Sequence, residues 1–421
     1  QAGYAASNPN VLSAVANVAN VPVGALVQGT GVGREVYVTA KNIGAGTLTL
    51  SQPLYAAPGT QTYTFTRFKY VLDFSNFQQL DKMILDDLDI QCNGVASGVM
   101  LAPAGSTFQM RDCYVTSPRD RAITSTGGGC QGMLIDRCQF LSNEGSLAAQ
   151  NRTSIVFNTN ANDVKIRENR ATQFRHFGVI GGNGNLLVGN HFFQGDNVTQ
   201  GVRMAGIVLA STNVRTTITG NYIDNCFVEW TNEYEASPAF ASQFSFGGLT
   251  VMGNSFMASD VAGWFRWLSI KPYGAGHFIQ GLTVAGNVFR CINGTVDRVE
   301  GVDTTFAGLD NGRMRNVLFN GNSFNGVAQN CENPALVQVD QVTAAATWAV
   351  TPGAFLPFGG WARNVEALVA EGMITGPAGE RRSDLPYVDV EQGTAKNELR
   401  VNWLAASKGR LQVRVRMDNP L

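Results

Sequence analysis

The chain has 421 residues, Lys+Arg 31 against Asp+Glu 32, 15% charged and 44% hydrophobic. A net charge near zero offers no field to neutralise a phosphate backbone, which excludes nucleic acid as the main partner, and the apolar content excludes general disorder. Gly 47 and Pro 14, with abundant Asn, predict many short strands joined by tight corners, an all-β chain.

Residues 1–68 read as an Ala/Asn-rich lead followed by a small β module. In it Val36-Tyr37-Val38-Thr39, Thr47-Leu48-Thr49-Leu50-Ser51 and Thr62-Tyr63-Thr64-Phe65-Thr66 alternate with Gly-rich turns, and the module is expected ahead of the main stack. The start has no secretion-signal pattern, and opening at Gln1 fits a processed or incomplete piece of a longer protein. No run of 18 apolar residues occurs, so membrane insertion is not expected.

Residues 69–350 carry an internal repeat. Gly189-Asn190-His191-Phe192, Gly220-Asn221-Tyr222-Ile223, Gly253-Asn254-Ser255-Phe256, Gly286-Asn287-Val288-Phe289 and Gly321-Asn322-Ser323-Phe324 share one frame, and Asn169, Cys138, Cys113 and Leu88 extend it backwards. The steps of 25, 25, 31, 21, 31, 33, 33 and 35 residues are solenoid spacing with loops of variable length. Three positions before the slot stand Leu85, Met110, Ile135, Ile166, Leu187, Ile218, Val251, Val284 and Phe319. Two positions after it stand Ile90, Val115, Phe140, Ala171, Phe192, Ile223, Phe256, Phe289 and Phe324. Every one is apolar, so a strand, a corner and a second strand each send alternate side chains inward. A further strand set has Val99, Ile123, Ile155, Val179, Ile207, Leu268 and Leu336 as expected inward members. The prediction is a right-handed, single-stranded parallel β-helix of about nine coils. Its corner Asn form a hydrogen-bonded ladder, with Cys113 and Cys138 as buried fillers.

Seven cysteines without CxxC pairs, only three His and no acidic cluster of calcium spacing predict neither disulfides, metal nor cofactor. Residues 351–421, with strand-like Tyr387-Val388-Asp389-Val390 and Leu411-Gln412-Val413-Arg414-Val415, are expected to cap the open end or to oligomerise. Phe355-Leu356-Pro357-Phe358 is expected to be an apolar patch uncovered in a monomer.

The ladder with its Gly-Asn-x-Phe corners resembles the pectate-lyase/tailspike class of β-helices. Arg175-His176-Phe177-Gly178-Val179-Ile180, with the corners at Asn190 and Asn221 and the run Glu229-Trp230-Thr231-Asn232-Glu233, is similar to β-helix proteins of Rhodobacter-type alphaproteobacteria. Some of these are tail fibres of phages or gene transfer agents. Gly29-Thr30-Gly31 followed by Thr47-Leu48-Thr49-Leu50-Ser51 is similar to a segment recurring in phage-type proteins. The resemblance implies a homotrimeric tail fibre or tailspike, made in the bacterial cytoplasm and assembled with other tail or baseplate proteins on a virion. It would bind, and in some members cleave, the surface polysaccharide of a bacterial host. The same class holds secreted glycoside hydrolases and polysaccharide lyases, which is the alternative reading.

Loops off a packed solenoid must carry the function. The three longest steps bring Glu229, Trp230, Glu233, Tyr234 and Glu235, then Asp260, Trp264, Trp267, Tyr273 and His277, then Asp297, Glu300 and Asp303. Aromatic faces bury the C–H face of a sugar and carboxylates accept from its hydroxyls, so Trp230, Tyr234, Trp264, Trp267 and His277 are candidate binders. Neighbouring coils can bring two carboxyls to glycosidase distances, and although no fixed spacing singles out a pair, Glu229 and Glu233 are the candidates for contact with hydroxyls or for acid and base. Arg175, His176 and Arg203 form a second candidate face for a carboxylated sugar, with His176 as the base of a lyase.

Overall fold

The computed structural model describes the chain apart from residues 6, 57–58, 196–201, 235–244 and 421. Three parallel sheets of nine strands each wind up the molecule. The first runs from Ile84–Asp86 to Arg315–Asn320, the second from Asp89–Gln91 to Ser323–Asn325 and the third from Tyr70–Asp73 to Glu300–Val302. Each strand pairs with its counterpart one coil away, so the predicted apolar rows stand in unbroken register. Leu85 through Phe319 form one column. Ile90 through Phe324 form the other. All are buried except Phe324, in the last coil. Among the described residues the helical segments are single 3₁₀ turns, and the fold is an all-β parallel helix.

The ladder is continuous from Asn169 to Asn322. From Asn190 on, each Asn Oδ1 accepts from the backbone N–H of the ladder Asn one coil earlier at 2.9–3.0 Å. It also accepts from that residue's Nδ2, while each Nδ2 donates to a strand carbonyl further back, as Asn254 does to Ile218. The residue before the slot always has a positive φ. It is Asp87, Asp112, Arg137 and Glu168 at 50–55° in the first coils and Gly at 62–67° from Gly189 on. Glycine there removes the Cβ penalty of the left-handed conformation. Below Asn169 the slot loses its amide: Cys138 and Cys113 are buried fillers whose thiols face main-chain carbonyls, and burial pushes the Cys138 thiol up to about 12. All seven cysteines are buried and free.

The N-terminal module does not sit ahead of the stack. Its four-stranded antiparallel sheet and the pair Leu26–Gln28 with Thr64–Thr66 lie alongside the third sheet. Contacts run up the coils from Gly24 beside Met100 and Glu35 on Arg121, through Gln52 on Asn160, to Arg34 on Glu229 and Tyr55 on Tyr273. The cause lies in the third sheet. Ile155 is in register with Arg121 and His176, and Val179 belongs to the column of Met100, Val208 and Glu229. These two predicted inward residues therefore share columns with groups the module touches, and an apolar outer face needs that cover.

At the other end the helix stops earlier than residue 350. Ala335–Val350 is a single strand antiparallel to Glu398–Arg416, in a terminal sheet with Asn364–Ala370 and Tyr387–Gln392. Leu336 is thus an exposed member of that sheet and not an inward coil residue, because its neighbour is Arg414 across an antiparallel ladder. The terminal segment caps the last coil: Asp418 accepts from Val317 N at 2.8 Å, and Asn333 Nδ2 and Arg416 Nη2 donate to Val317 O. The Phe355–Phe358 motif is mostly covered too, with Leu356 and Phe358 buried, the latter against Phe319.

Candidate functional site

A cleft of about 850 Å³ opens on the upper third sheet, where strands Ala205–Leu209, Phe227–Thr231, Leu268–Lys271 and Glu300–Val302 lie side by side. Its floor follows one register column, Glu229, Ser269, Gly301, whose side chains shrink coil by coil. Glycine at 301 leaves room for the Arg266 side chain, since a Cβ there would stand 3.0 Å from Arg266 Cγ. Phe227, Met204 and Val302 supply apolar wall, and Trp264, 53% exposed, stands edge-on to Phe227.

The charged groups are paired. Arg203 holds Asp260 at 2.7 Å, Arg266 holds Asp297 at 2.8 Å, Lys271 holds Asp303 at 3.3 Å and Arg298 holds Glu300 at 2.8 Å. Glu300 is fixed further by Phe358 N at 3.0 Å, a contact from the capping segment. Arg34, reaching over from the N-terminal module, bonds Glu229 and closes on Glu233 at 3.0 Å through both Nε and Nη2. Burial alone would lower the Arg34 pKa, but the two carboxylates hold it well above the ordinary arginine value. Asp303 lies below the usual carboxylate range: burial opposes this, and bonds from Thr305 and Lys271 outweigh it.

The structure brings only part of the predicted set to this cleft. Trp264, Glu229 and Arg203 line it. Glu233 and Tyr234 are buried beside it, the first on Arg34 and the second donating its hydroxyl proton to the Arg34 carbonyl. Trp230 follows Glu229 on the same strand and turns to the opposite face, into the core against Phe246, its indole N–H on Ser211 O at 2.8 Å. Trp267 packs on the inward-facing Phe289, and His277 is enclosed by Asn232, Ser245 and Phe246. These three are core side chains that a ligand on the surface does not meet. Glu235 lies outside the described residues. Arg266, Arg298, Ser269 and Phe227, which complete the cleft, were not singled out by the sequence reading; register with Glu229 is the signal that finds Ser269.

Arg175 and His176 belong elsewhere, to a second cleft of about 600 Å³ between the module and the lower coils. Arg175 donates to the carbonyls of Gln150 and Arg152. His176 is fully buried with Nδ1 2.6 Å from Ala205 O, an arrangement for a neutral ring whose Nδ1–H donates. Burial, then the nearby Arg34, holds its pKa well below 6.5. The unfolded chain therefore takes up a proton that the folded chain refuses, so stability present above about pH 6.5 falls as pH drops below it. The urea midpoint is expected to decline from pH 7.5 to 5 and the decline to be shallower in His176→Gln; His191, also lowered by burial, adds a smaller share. Equal slopes in parent and variant would assign the effect to other groups.

No protein-family model matches the chain, and no curated protein sequence matches it. Among solved structures it is similar to a point mutant of the tailspike protein of E. coli bacteriophage HK620 in complex with a pentasaccharide. Identity is 11%, coverage 83% of this chain and 72% of that one, and TM-score 0.45. A double mutant of the same tailspike with pentasaccharide gives 11% identity, 83% and 71% coverage and TM-score 0.44. The tailspike in complex with pentasaccharide gives 12%, 79%, 68% and 0.38.

Proposed function

We propose that the protein is a virion tail fibre or tailspike whose upper cleft binds the surface polysaccharide of a bacterial host. The observation that carries the reading is Trp264, a large aromatic left half-exposed at the mouth of a cleft that runs across four stacked coils. An extended sugar chain suits such a strip, with C–H faces on the indole and hydroxyls on Glu229, Ser269 and Asp303. Resemblance of the Gly-Asn-x-Phe corners and the N-terminal segment to phage-type proteins supports the virion setting.

Binding is favoured over cleavage because a glycosidase needs two carboxyls free to face the scissile bond. Glu229, Glu233 and Glu300 are instead each engaged by a guanidinium, Glu229 and Glu233 by Arg34 and Glu300 by Arg298. The same reading includes a homotrimer joined to other tail proteins, with Val342 at 82% and Leu404 at 90% exposure on the terminal sheet, and Leu385 at 93% in the segment leading into it, as its apolar contact surface.

The intact protein should run in light scattering at three times the 45.1 kDa chain mass and adsorb to host cells or their purified polysaccharide. Trp264→Ala should weaken that adsorption by about 1–3 kcal/mol, roughly ten- to hundredfold, without change in melting temperature. Undiminished adsorption would remove the cleft from consideration, a monomer mass would remove the trimer, and release of reducing ends abolished by Glu229→Gln would favour the hydrolase instead.

A further inference from the structure

We infer that the N-terminal module is a working part of the upper cleft and Arg34 its positioning residue, so that glycan binding and docking of the module on the coils are coupled; the inference rests on the glycan reading of that cleft.

Both carboxylates assigned to sugar hydroxyls are set from the module. Glu229 opens the floor column, and its cation is Arg34, which also takes Glu233 through Nε and Nη2. The main chain of the module fixes that guanidinium in place. Arg34 N–H donates to Glu233 Oε1 at 3.2 Å, the Tyr234 hydroxyl donates to the Arg34 carbonyl, and a Cβ at Gly33 would stand 3.1 Å from both Glu233 O and the Tyr234 ring. Asp303 is set through a second, independent contact. The Tyr55 and Tyr273 ring centroids are 4.5 Å apart and Tyr273 stacks on Phe306 at 4.3 Å. Lys271, 5.6 Å from the Phe306 centroid, holds Asp303 at 3.3 Å.

Lifting the module removes both supports. Glu229 and Glu233 lose the cation that holds them together, so the like charges spread and Glu229 leaves the orientation in which it meets a hydroxyl. Phe306, already 52% exposed, loses the Tyr55 edge of its stack, and the aromatic face beside Lys271 is no longer held. The docked module is the state that presents an ordered floor, and a ligand that binds this state better draws the equilibrium toward it. The coupling is reciprocal: the factor by which undocking weakens the ligand is the factor by which the ligand favours docking.

The test uses the full chain, with soluble O-polysaccharide fragments from a panel of Gram-negative strains as probes and the fragment that the parent binds best carried forward. Arg121→Met leaves Glu35 buried without its guanidinium and so loosens the module from the coil side. Arg121 lies on the third strand of the third sheet, four strands below Glu229 and about 19 Å away at ~4.8 Å per strand. The variant touches nothing in the cleft, yet it should weaken fragment binding by about fivefold or more while the coils stay resistant to protease. Glu35→Gln combined with Arg121→Met should restore the affinity, whereas Arg34→Gln and Tyr55→Ala, at the two upper contacts, should each lower it. In return, saturating fragment should slow trypsin cutting near residue 68 in Arg121→Met by a like factor. Should Arg34→Gln bind the fragment like the parent, or Arg121→Met open the module to trypsin without loss of affinity, the inference falls and the glycan site stands. Should no fragment bind the parent, the glycan reading falls and the inference with it.

Discussion

Asn254→Leu is expected to lower the stability of the β-helix by about 2–4 kcal/mol, read as a drop in the urea midpoint at unchanged slope. Asn254 is buried in the ladder, and its Oδ1 accepts from both the main chain and the side chain of Asn221 at 2.9 and 3.0 Å. Its Nδ2 donates to Ile218 O and to Asn287 Oδ1. Leucine has similar bulk and fits a core, so little packing is lost, but the Asn221 N–H is left without an acceptor in a place water does not reach. Each orphaned buried group costs about 1–3 kcal/mol, and the variant leaves two or three such groups at once. An unchanged midpoint would mean that the corner backbone finds other partners, and that the amide column is incidental.

The second large effect is expected at Glu35→Gln. Glu35 is buried, takes Arg121 Nε at 3.0 and 3.1 Å and Nη2 at 2.7 Å, and accepts the Tyr37 hydroxyl. The same guanidinium lies 5.0 Å from the Phe68 ring centroid and donates to the carbonyls of Asp120 and Thr153. Removing the carboxylate charge leaves Arg121 buried and uncompensated, a loss of about 3–5 kcal/mol. That loss falls on the seam between the module and the coils, so the expected readout is local. A protease should cut near residue 68 and release the module while the coils stay resistant. The double variant Glu35→Gln with Arg121→Met removes both charges and should recover most of the resistance, because the penalty belongs to the unpaired ion. A single variant as resistant as the parent would show that other contacts hold the module.

The coils were legible because their information is periodic and local. Leu85 to Phe319, Ile90 to Phe324 and the corner Asn are each set by the inward direction of a strand or by a left-handed corner, and both leave a mark within a few residues. The third sheet was not so legible. Ile155 and Val179 are apolar like lumen residues, yet they share columns with groups the module touches, and apolarity alone does not say which neighbour supplies the cover. The same ambiguity separated the tryptophans. Trp230 and Trp267 are interior and Trp264 is at the surface, although all three stand in long steps with carboxylates around them. Strand alternation at Phe227-Val228-Glu229-Trp230 carried the signal for Trp230, since a residue next to an outward Glu turns inward. Nothing local marks Arg34 as the partner of Glu229, because that pairing depends on a module folding back along the coils.

That fold-back has a consequence for the order of assembly. Arg34 meets Glu229 across 195 residues of sequence and Glu233 across 199. Coils can form one upon another as the chain emerges, each needing only its predecessor. The module is made first and yet can close only after the seventh strand of the third sheet exists. At about 5–20 residues per second on the ribosome, that interval is roughly 10–40 s, during which the apolar outer face of the lower coils waits uncovered. A segment made before every coil is therefore held back until seven of them stand, and it acts as a clasp that closes only on a stack of that height.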